Sequence, residues 1–233
     1  NGAMVIDQRN AGASVTASST STVYGTDRWR IDASQSGKFT GQQSTTAPTG
    51  FSNSLLITSS SAYSIGSTDY FYFRQPIEGY NATDLAWGTS SAKTVTLSFW
   101  VRSSLTGTFG GAIRNTTAFD RSYPFSYTIN STNTWEYKTI TIPGDTTGTW
   151  ISSLNSPSID LSFSVGMGST YSGSAGSWLS GNYASVTGAT SLVGTNGATW
   201  YITGIQLEVG SVATSLEFRQ FGTELALCQR YYH

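Results

Sequence analysis

Aromatic side chains set among small polar residues are the strongest chemical signal in this chain. Trp100 sits in the run Val95-Thr96-Leu97-Ser98-Phe99-Trp100-Val101. Strand phase places it on the face opposite Val95, Leu97, Phe99 and Val101. Tyr171, Trp178 and Tyr183 are spaced through a Gly- and Ser-rich stretch from Gly166 to Gly197, and Trp87 follows Asn81-Ala82-Thr83-Asp84-Leu85. A flat ring beside polar side chains suits one task above others, stacking on the C–H face of a sugar while planar polar groups meet its hydroxyls. These five residues are the candidate glycan-binding set. Each also has a structural default: Trp100 as a ring buried in the sandwich or covered by a neighbouring subunit, the loop aromatics as pins that hold their own loop. Arg102, Arg114 and Arg121 are the basic groups that an acidic sugar would meet, with surface solvation as their default.

Bond-breaking chemistry has little to work with. The only histidine is His233 and the only cysteine is Cys228. That removes His-based acid–base catalysis, most hydrolytic triads, an internal disulfide, and multi-cysteine or His-rich zinc sites. Glycoside hydrolysis wants two carboxylates about 5–10 Å apart with one held protonated. The thirteen acids are scattered, and Asp27, Asp32, Asp120, Glu136 and Asp145 can meet only through tertiary structure. The expectation is binding without catalysis, with no catalytic residue, no cofactor and no assigned metal. A polysaccharide depolymerase is the catalytic alternative.

Presenting such rings takes a rigid scaffold, and the periodicity here is that of strands. Val95, Leu97, Phe99 and Val101 alternate with Thr94, Thr96, Ser98 and Trp100; Ile159, Leu161, Phe163 and Val165 alternate with Asp160, Ser162 and Ser164. Ile140 and Ile142 alternate with Thr139 and Thr141, and the run stops at Pro143-Gly144-Asp145. Tyr201, Thr203, Ile205, Leu207 and Val209 predict one further face, broken once by Gly204. Shorter β-prone runs lie at Ser54–Thr58 and Asp69–Arg74. Short strands between Gly, Ser and Asn turns predict an all-β fold, a two-sheet antiparallel β-sandwich. Near the end, Leu225, Leu227, Cys228 and Tyr231 predict one side of a short helix. The division expected is a sandwich domain over 1–220 and a C-terminal tail over 221–233.

Composition narrows the partners. Of 233 residues, 38% are hydrophobic and only 11% charged, and Ser, Thr and Gly fill the gap. Seven Trp, thirteen Tyr and eleven Phe supply enough apolar surface for a packed core, so this is a folded chain. Twelve basic and thirteen acidic residues give a net charge of −1 with no basic run, which argues against nucleic acid. No apolar stretch approaches the roughly 18 residues needed to span a bilayer, so no membrane partner is expected. A start at Asn1 rather than Met predicts a piece of a longer polypeptide or a trimmed chain. A near-neutral charge, an aromatic count larger than one modest sandwich should need, and an apolar tail of Leu225, Leu227, Tyr231 and Tyr232 predict a homotrimer with subunit contacts near 221–233.

Several segments, in order, resemble tail-fibre-associated domains of bacteriophages, especially marine ones. They are Asn1-Gly2-Ala3-Met4 through Asp7-Gln8-Arg9-Asn10, then Thr26-Asp27-Arg28-Trp29, Ile77-Glu78-Gly79 and Leu97-Ser98-Phe99-Trp100-Val101-Arg102. Gly144-Asp145-Thr146-Thr147-Gly148-Thr149-Trp150, Ile205-Gln206-Leu207-Glu208 and Glu224-Leu225-Ala226-Leu227-Cys228-Gln229-Arg230-Tyr231-Tyr232 continue the match. More distantly, the Asn-Gly opening, the Ser-Phe-Trp strand and the Ile-x-Leu strand resemble jelly-roll carbohydrate-binding modules, in which sugar binds on a concave sheet face or at loop tips. The resemblance implies a virion surface protein, made in the bacterial host cytoplasm, that recognises host-surface polysaccharide or lipopolysaccharide beside other virion proteins. Related sugar-binding jelly rolls often hold a Ca²⁺ near the chain ends, where Asp7 or Glu208 could supply a carboxylate, but no Asp-rich loop is present and no metal is assigned. A purely structural virion component, a fibre head or capsid decoration, is the non-binding alternative.

Overall fold

A computed structural model describes residues 1–232; His233 lies outside the described residues. The strands in chain order are β1 (Val15–Thr16), β2 (Val23–Thr26), β3 (Trp29–Ala33), β4 (Phe39–Ser44), β5 (Ser54–Ser59), β6 (Tyr70–Glu78), β7 (Val95–Ser103) and β8 (Gly107–Asn115). They continue with β9 (Arg121–Ile129), β10 (Glu136–Ile142), β11 (Pro157–Met167), β12 (Ser172–Gly173), β13 (Leu179–Ser180), β14 (Ser185–Val186) and β15 (Thr199–Val209), and one helix follows, α1 (Phe221–Gln229). Two antiparallel sheets result, ordered β1-β4-β5-β15-β7-β10 and β13-β9-β8-β11-β6-β3-β2. They pack as a two-sheet β-sandwich, the fold class expected from the alternation.

Phe163 stands at the middle of the layer between the sheets. Its ring stacks on Phe73 at 5.1 Å and meets Phe99 edge-on at 5.0 Å, with Trp29, Phe125, Tyr127 and Trp200 around it. Gly111 makes room for this packing, because a Cβ there would lie 2.5 Å from the Phe125 ring. Val95, Leu97, Phe99, Ile142, Leu161, Phe163 and Val165 are buried as their phase requires, and Ile140 packs against them partly buried. Nine of the largest side chains, Trp29, Trp200 and seven phenylalanines, are each under 2% exposed. The aromatic count is therefore used inside the sandwich, and it gives no separate argument for subunit contacts.

Three features depart from simple alternation. First, β15 changes phase. Trp200 and Ile202 point into the core, a register shift falls between Thr203 and Gln206, and Leu207 then pairs with inward Leu97. Gly204 takes a left-handed φ of +64° at this bulge. A one-residue slip flips every following side chain, so Tyr201 and Thr203 do not share a face with Leu207. Second, the alternating polar residues Thr96, Ser98, Asp160, Ser162 and Ser164 are buried rather than wet. The chain after β15 covers part of one sheet, with Thr96 Oγ1 donating to Gly210 O at 2.8 Å. The Gly- and Ser-rich segment covers the other, where Ser185 and Val186 press on Gly110. Third, of the helix side predicted above, Cys228 is buried and Leu225 and Tyr231 are half-buried, but Leu227 is 37% exposed, and Glu224 takes the remaining inward place. Arg230 to Glu78 at 3.0 Å and Arg28 over the Tyr231 ring at 4.5 Å hold the tail on its own sandwich.

Covering the seven-stranded sheet buries charge. Asp160, fully buried, takes Arg74 Nη1 at 2.9 Å and Arg114 Nη2 at 2.5 Å, and Arg74 Nε reaches Asp32 at 2.9 Å. A buried carboxylate is tolerated only when paired, and removing one member strands the others. Asp160→Ala should lower unfolding free energy by about 3–5 kcal/mol. Urea denaturation measures it, and a loss under about 1 kcal/mol would show that this network does not support the sheet.

Candidate functional site

The outer face of the six-stranded sheet is where the sequence leaves aromatic rings open. Paired residues on neighbouring antiparallel strands share a face, so the register reads directly as surface. Tyr137 of β10 lies opposite Trp100 of β7, which lies opposite Thr203 of β15. One row along, Arg102 lies opposite Tyr201, and Tyr201 opposite Leu56 of β5. In the other direction Ser98 lies between Gln206 and Thr139.

Trp100 and Tyr137 touch at 5.3 Å between ring centroids, and Tyr137 is 44% exposed. Phe51, from the loop between β4 and β5, comes down beside Trp100 over Gly204. A Cβ on Gly204 would sit 2.8 Å from Phe51 and 3.3 Å from Trp100. Phe218, 62% exposed, lies on Phe51 at 5.4 Å. Together with Ser98, Thr49 and residues 213–216 these rings line a groove of about 480 Å³. The tail segment forming its far wall is tied down by Glu208, whose carboxylate accepts from Thr214 N–H at 2.8 Å and Thr214 Oγ1 at 2.7 Å. Burial pushes Glu208 upward, but these bonds and that from Gln206 hold its carboxyl below the usual range. The groove is a half-open aromatic trough with hydroxyls along its floor and rim.

The five candidate residues fall in three places. Trp100 is half-buried in this groove. Trp87 and Trp178 lie elsewhere, joined with Trp150 in a three-ring cluster at 4.7–5.3 Å, every pair edge-on. Their indole N–H groups are spent on backbone carbonyls, Trp87 on Lys93 at 2.8 Å and Trp178 on Pro143 at 2.8 Å. Trp87 is only 7% exposed, whereas Trp178 is half-buried and also packs on Tyr123. Tyr171 stands edge-on to Tyr70 at 5.8 Å on the seven-stranded sheet's side, and Tyr183 packs against Gly173 and Gly181. Of the arginines, Arg114 is buried on Asp160, and Arg121 grips Asp145 with bonds of 2.7 and 2.8 Å. Burial pushes the Asp145 carboxyl upward, and Arg121 with Thr147 outweighs it and holds it low.

Sequence reasoning missed Tyr137, Phe51 and Phe218. Tyr137 was within reach, since it keeps phase with Thr139 and Thr141 and so opposes Ile140 and Ile142. Phe51 and Phe218 arrive from loops with no periodicity to read. A second crevice, about 820 Å³, runs beneath the tail, but its walls carry Arg28, Glu78, Arg219 and Arg230 and no tryptophan. Among the described residues no group of three or more His, Cys, Asp or Glu is placed to hold a metal ion.

The class defined by these features is a two-sheet antiparallel β-sandwich with an aromatic groove on one outer face. No protein-family model and no curated protein matches the sequence. Solved structures similar to it include the enzymatically active domain of bacteriophage CBA120 tailspike protein 4, at 13% identity and TM-score 0.46, over 78% of this chain and 19% of that one. The chain thus spans about a fifth of that protein. Others are a family 11 carbohydrate-binding module from Clostridium thermocellum in complex with a mixed-linked tetrasaccharide (12% identity, TM-score 0.40, 88% of this chain and 100% of that one) and a putative sugar binding protein from Bacteroides thetaiotaomicron (9% identity, TM-score 0.43, 84% and 94%).

The two tryptophan environments should separate on mutation. Trp178→Ala removes the ring that joins Trp87, Trp150 and Tyr123, and should cost about 3 kcal/mol of stability. Trp100→Ala, at an open groove, should cost about 1 kcal/mol or less. Thermal and urea unfolding of both variants provide the comparison, and equal losses would contradict the assignment of Trp100 to an open surface.

Proposed function

We propose that this chain is a non-catalytic glycan-binding module whose site is the groove built on Trp100, Tyr137, Phe51 and Phe218. The observation that carries the proposal is the groove itself: Trp100 and Tyr137 on a rigid sheet, joined by Phe51 and Phe218 from the flanking segments, next to the hydroxyls of Thr49 and Ser215. A sugar offers an apolar C–H face and a rim of hydroxyls, which is the complement of that surface. Trp87, Trp178, Tyr171 and Tyr183 hold the loops that frame the sandwich and are secondary in this reading. Asp32, Asp145 and Asp160 are engaged by arginines of this chain, so none of them stands free as one of the paired carboxyls that glycoside cleavage uses.

The biological setting follows from the resemblance of the sequence segments to phage tail-fibre domains. In this setting the module sits on a virion, is made in the bacterial cytoplasm, and recognises polysaccharide or lipopolysaccharide of the host surface. The homotrimer belongs to the same proposal and rests on the apolar side chains that the tail leaves open, Phe221 at 62%, Leu227 at 37% and Tyr232 at 45% exposed. A contiguous apolar patch marks a contact surface, and the proposal joins these side chains into one across the subunit contact.

Two measurements test these readings. Binding of the isolated chain to host cells or extracted surface polysaccharide should weaken by about 1–3 kcal/mol in Trp100→Ala, the scale of one large apolar contact; unchanged affinity would remove Trp100 from the site. Light scattering at micromolar concentration should give a trimer for the whole chain and a smaller species after removal of 221–233. A monomer in both cases would exclude the trimer.

A further inference from the structure

Arg102 lies one row from the groove and differs from the strand arginines Arg30, Arg74, Arg114 and Arg121. It is two residues from Trp100 along β7, so the two side chains leave the same sheet face about 7 Å apart. Its guanidinium lies over the Tyr201 ring, 4.9 Å from the centroid, and Tyr201 is braced in turn by Trp135 at 6.1 Å. Nε donates to Asn133 O at 2.8 Å. A stack on one side and a backbone anchor at Nε fix the fork in place, yet its two terminal nitrogens have no partner among the described residues. Arg30, Arg74, Arg114, Arg121 and Arg230 each hold a carboxylate of this chain. Arg102 has none, and the other charged strand residue on this face, Glu208, is bound up with Thr214 and Gln206.

We infer that Arg102 is a specificity-determining residue and that the glycan taken by the groove is acidic, carrying a sugar carboxylate of the uronic-acid kind. A pre-oriented guanidinium fork matches a carboxylate with two parallel N–H···O bonds. The chain then reads two features side by side, the apolar face of one sugar ring on Trp100 and Tyr137, and the carboxylate of its neighbour on Arg102. This deepens the glycan-binding reading and rests on it.

The test uses the full chain and three uronic-acid polymers, polygalacturonate, alginate and hyaluronan, each paired with its carboxyl-reduced, neutral form. Titration calorimetry should show at least one acidic polymer binding about tenfold or more tighter than its neutral pair, the scale of one charge-assisted contact. That preference should shrink as salt is raised. Arg102→Gln should erase the preference while keeping the affinity for the neutral form, which also shows that the variant is folded. Trp100→Ala should weaken both forms together. Equal binding of the acidic and neutral forms by the unaltered chain would overturn the role of Arg102 and leave the glycan reading standing. A preference that survives Arg102→Gln would overturn it equally. Binding to none of the six polymers would count against both.

Discussion

A single left-handed glycine in strand β15 decides which side chains of the six-stranded sheet meet water. Before Gly204 the strand sends Trp200 and Ile202 into the core; after it, Leu207 takes that role. Without the extra residue of the bulge, one half of the strand would turn its apolar set outward. The same glycine has no side chain, and Phe51 uses that space to lie against Trp100. The backbone of Gly204 at φ +64° is a conformation that costs little for glycine and more for any residue with a Cβ. Core continuity and the shape of the groove therefore depend on one position.

What remains open on the surface is set by two long coverings. The Gly- and Ser-rich segment lies over the seven-stranded sheet, and its small residues let Ser185 and Val186 approach Gly110. That covering turns Asp160 and Arg114 into an internal ion pair. On the other sheet, the chain after β15 crosses only part of the face, held by Thr96 and Glu208. It stops short of Trp100 and adds Leu216 and Phe218 to the groove wall. The ligand surface is thus the part of one sheet that the tail leaves uncovered.

Much of this was legible in the sequence where period-two patterns run unbroken. Val95 to Val101 and Ile159 to Val165 identified the two strands at the centre of the sandwich, and Trp100 was placed outward by phase alone. The pattern failed at Gly204, because alternation counts residues and a bulge adds one without any change in composition. It failed again at Asp160, Ser162 and Ser164, whose polarity suggests water; Asp160 is satisfied by Arg74 and Arg114, Ser162 by donating to Ala112 O, and Ser164 by accepting from the Gly166 N–H. Trp87 and Trp178 carried the same composition signal as Trp100. Only the tertiary meeting with Trp150 distinguishes rings that pin a loop from a ring that faces a groove.

The central claim, that sugar is read on the six-stranded sheet at Trp100, is most directly tested by the indole N–H resonances. The chain has seven tryptophans, so a ¹⁵N-labelled sample gives seven indole signals that can be assigned by substitution. Titrating with fragments of a bound polysaccharide should shift the Trp100 signal, with a smaller change at Trp135 beside Tyr201, while Trp29 and Trp200 in the core stay fixed. Shifts confined to Trp87, Trp150 and Trp178, with Trp100 unmoved, would contradict the account and place the ligand at the opposite aromatic cluster.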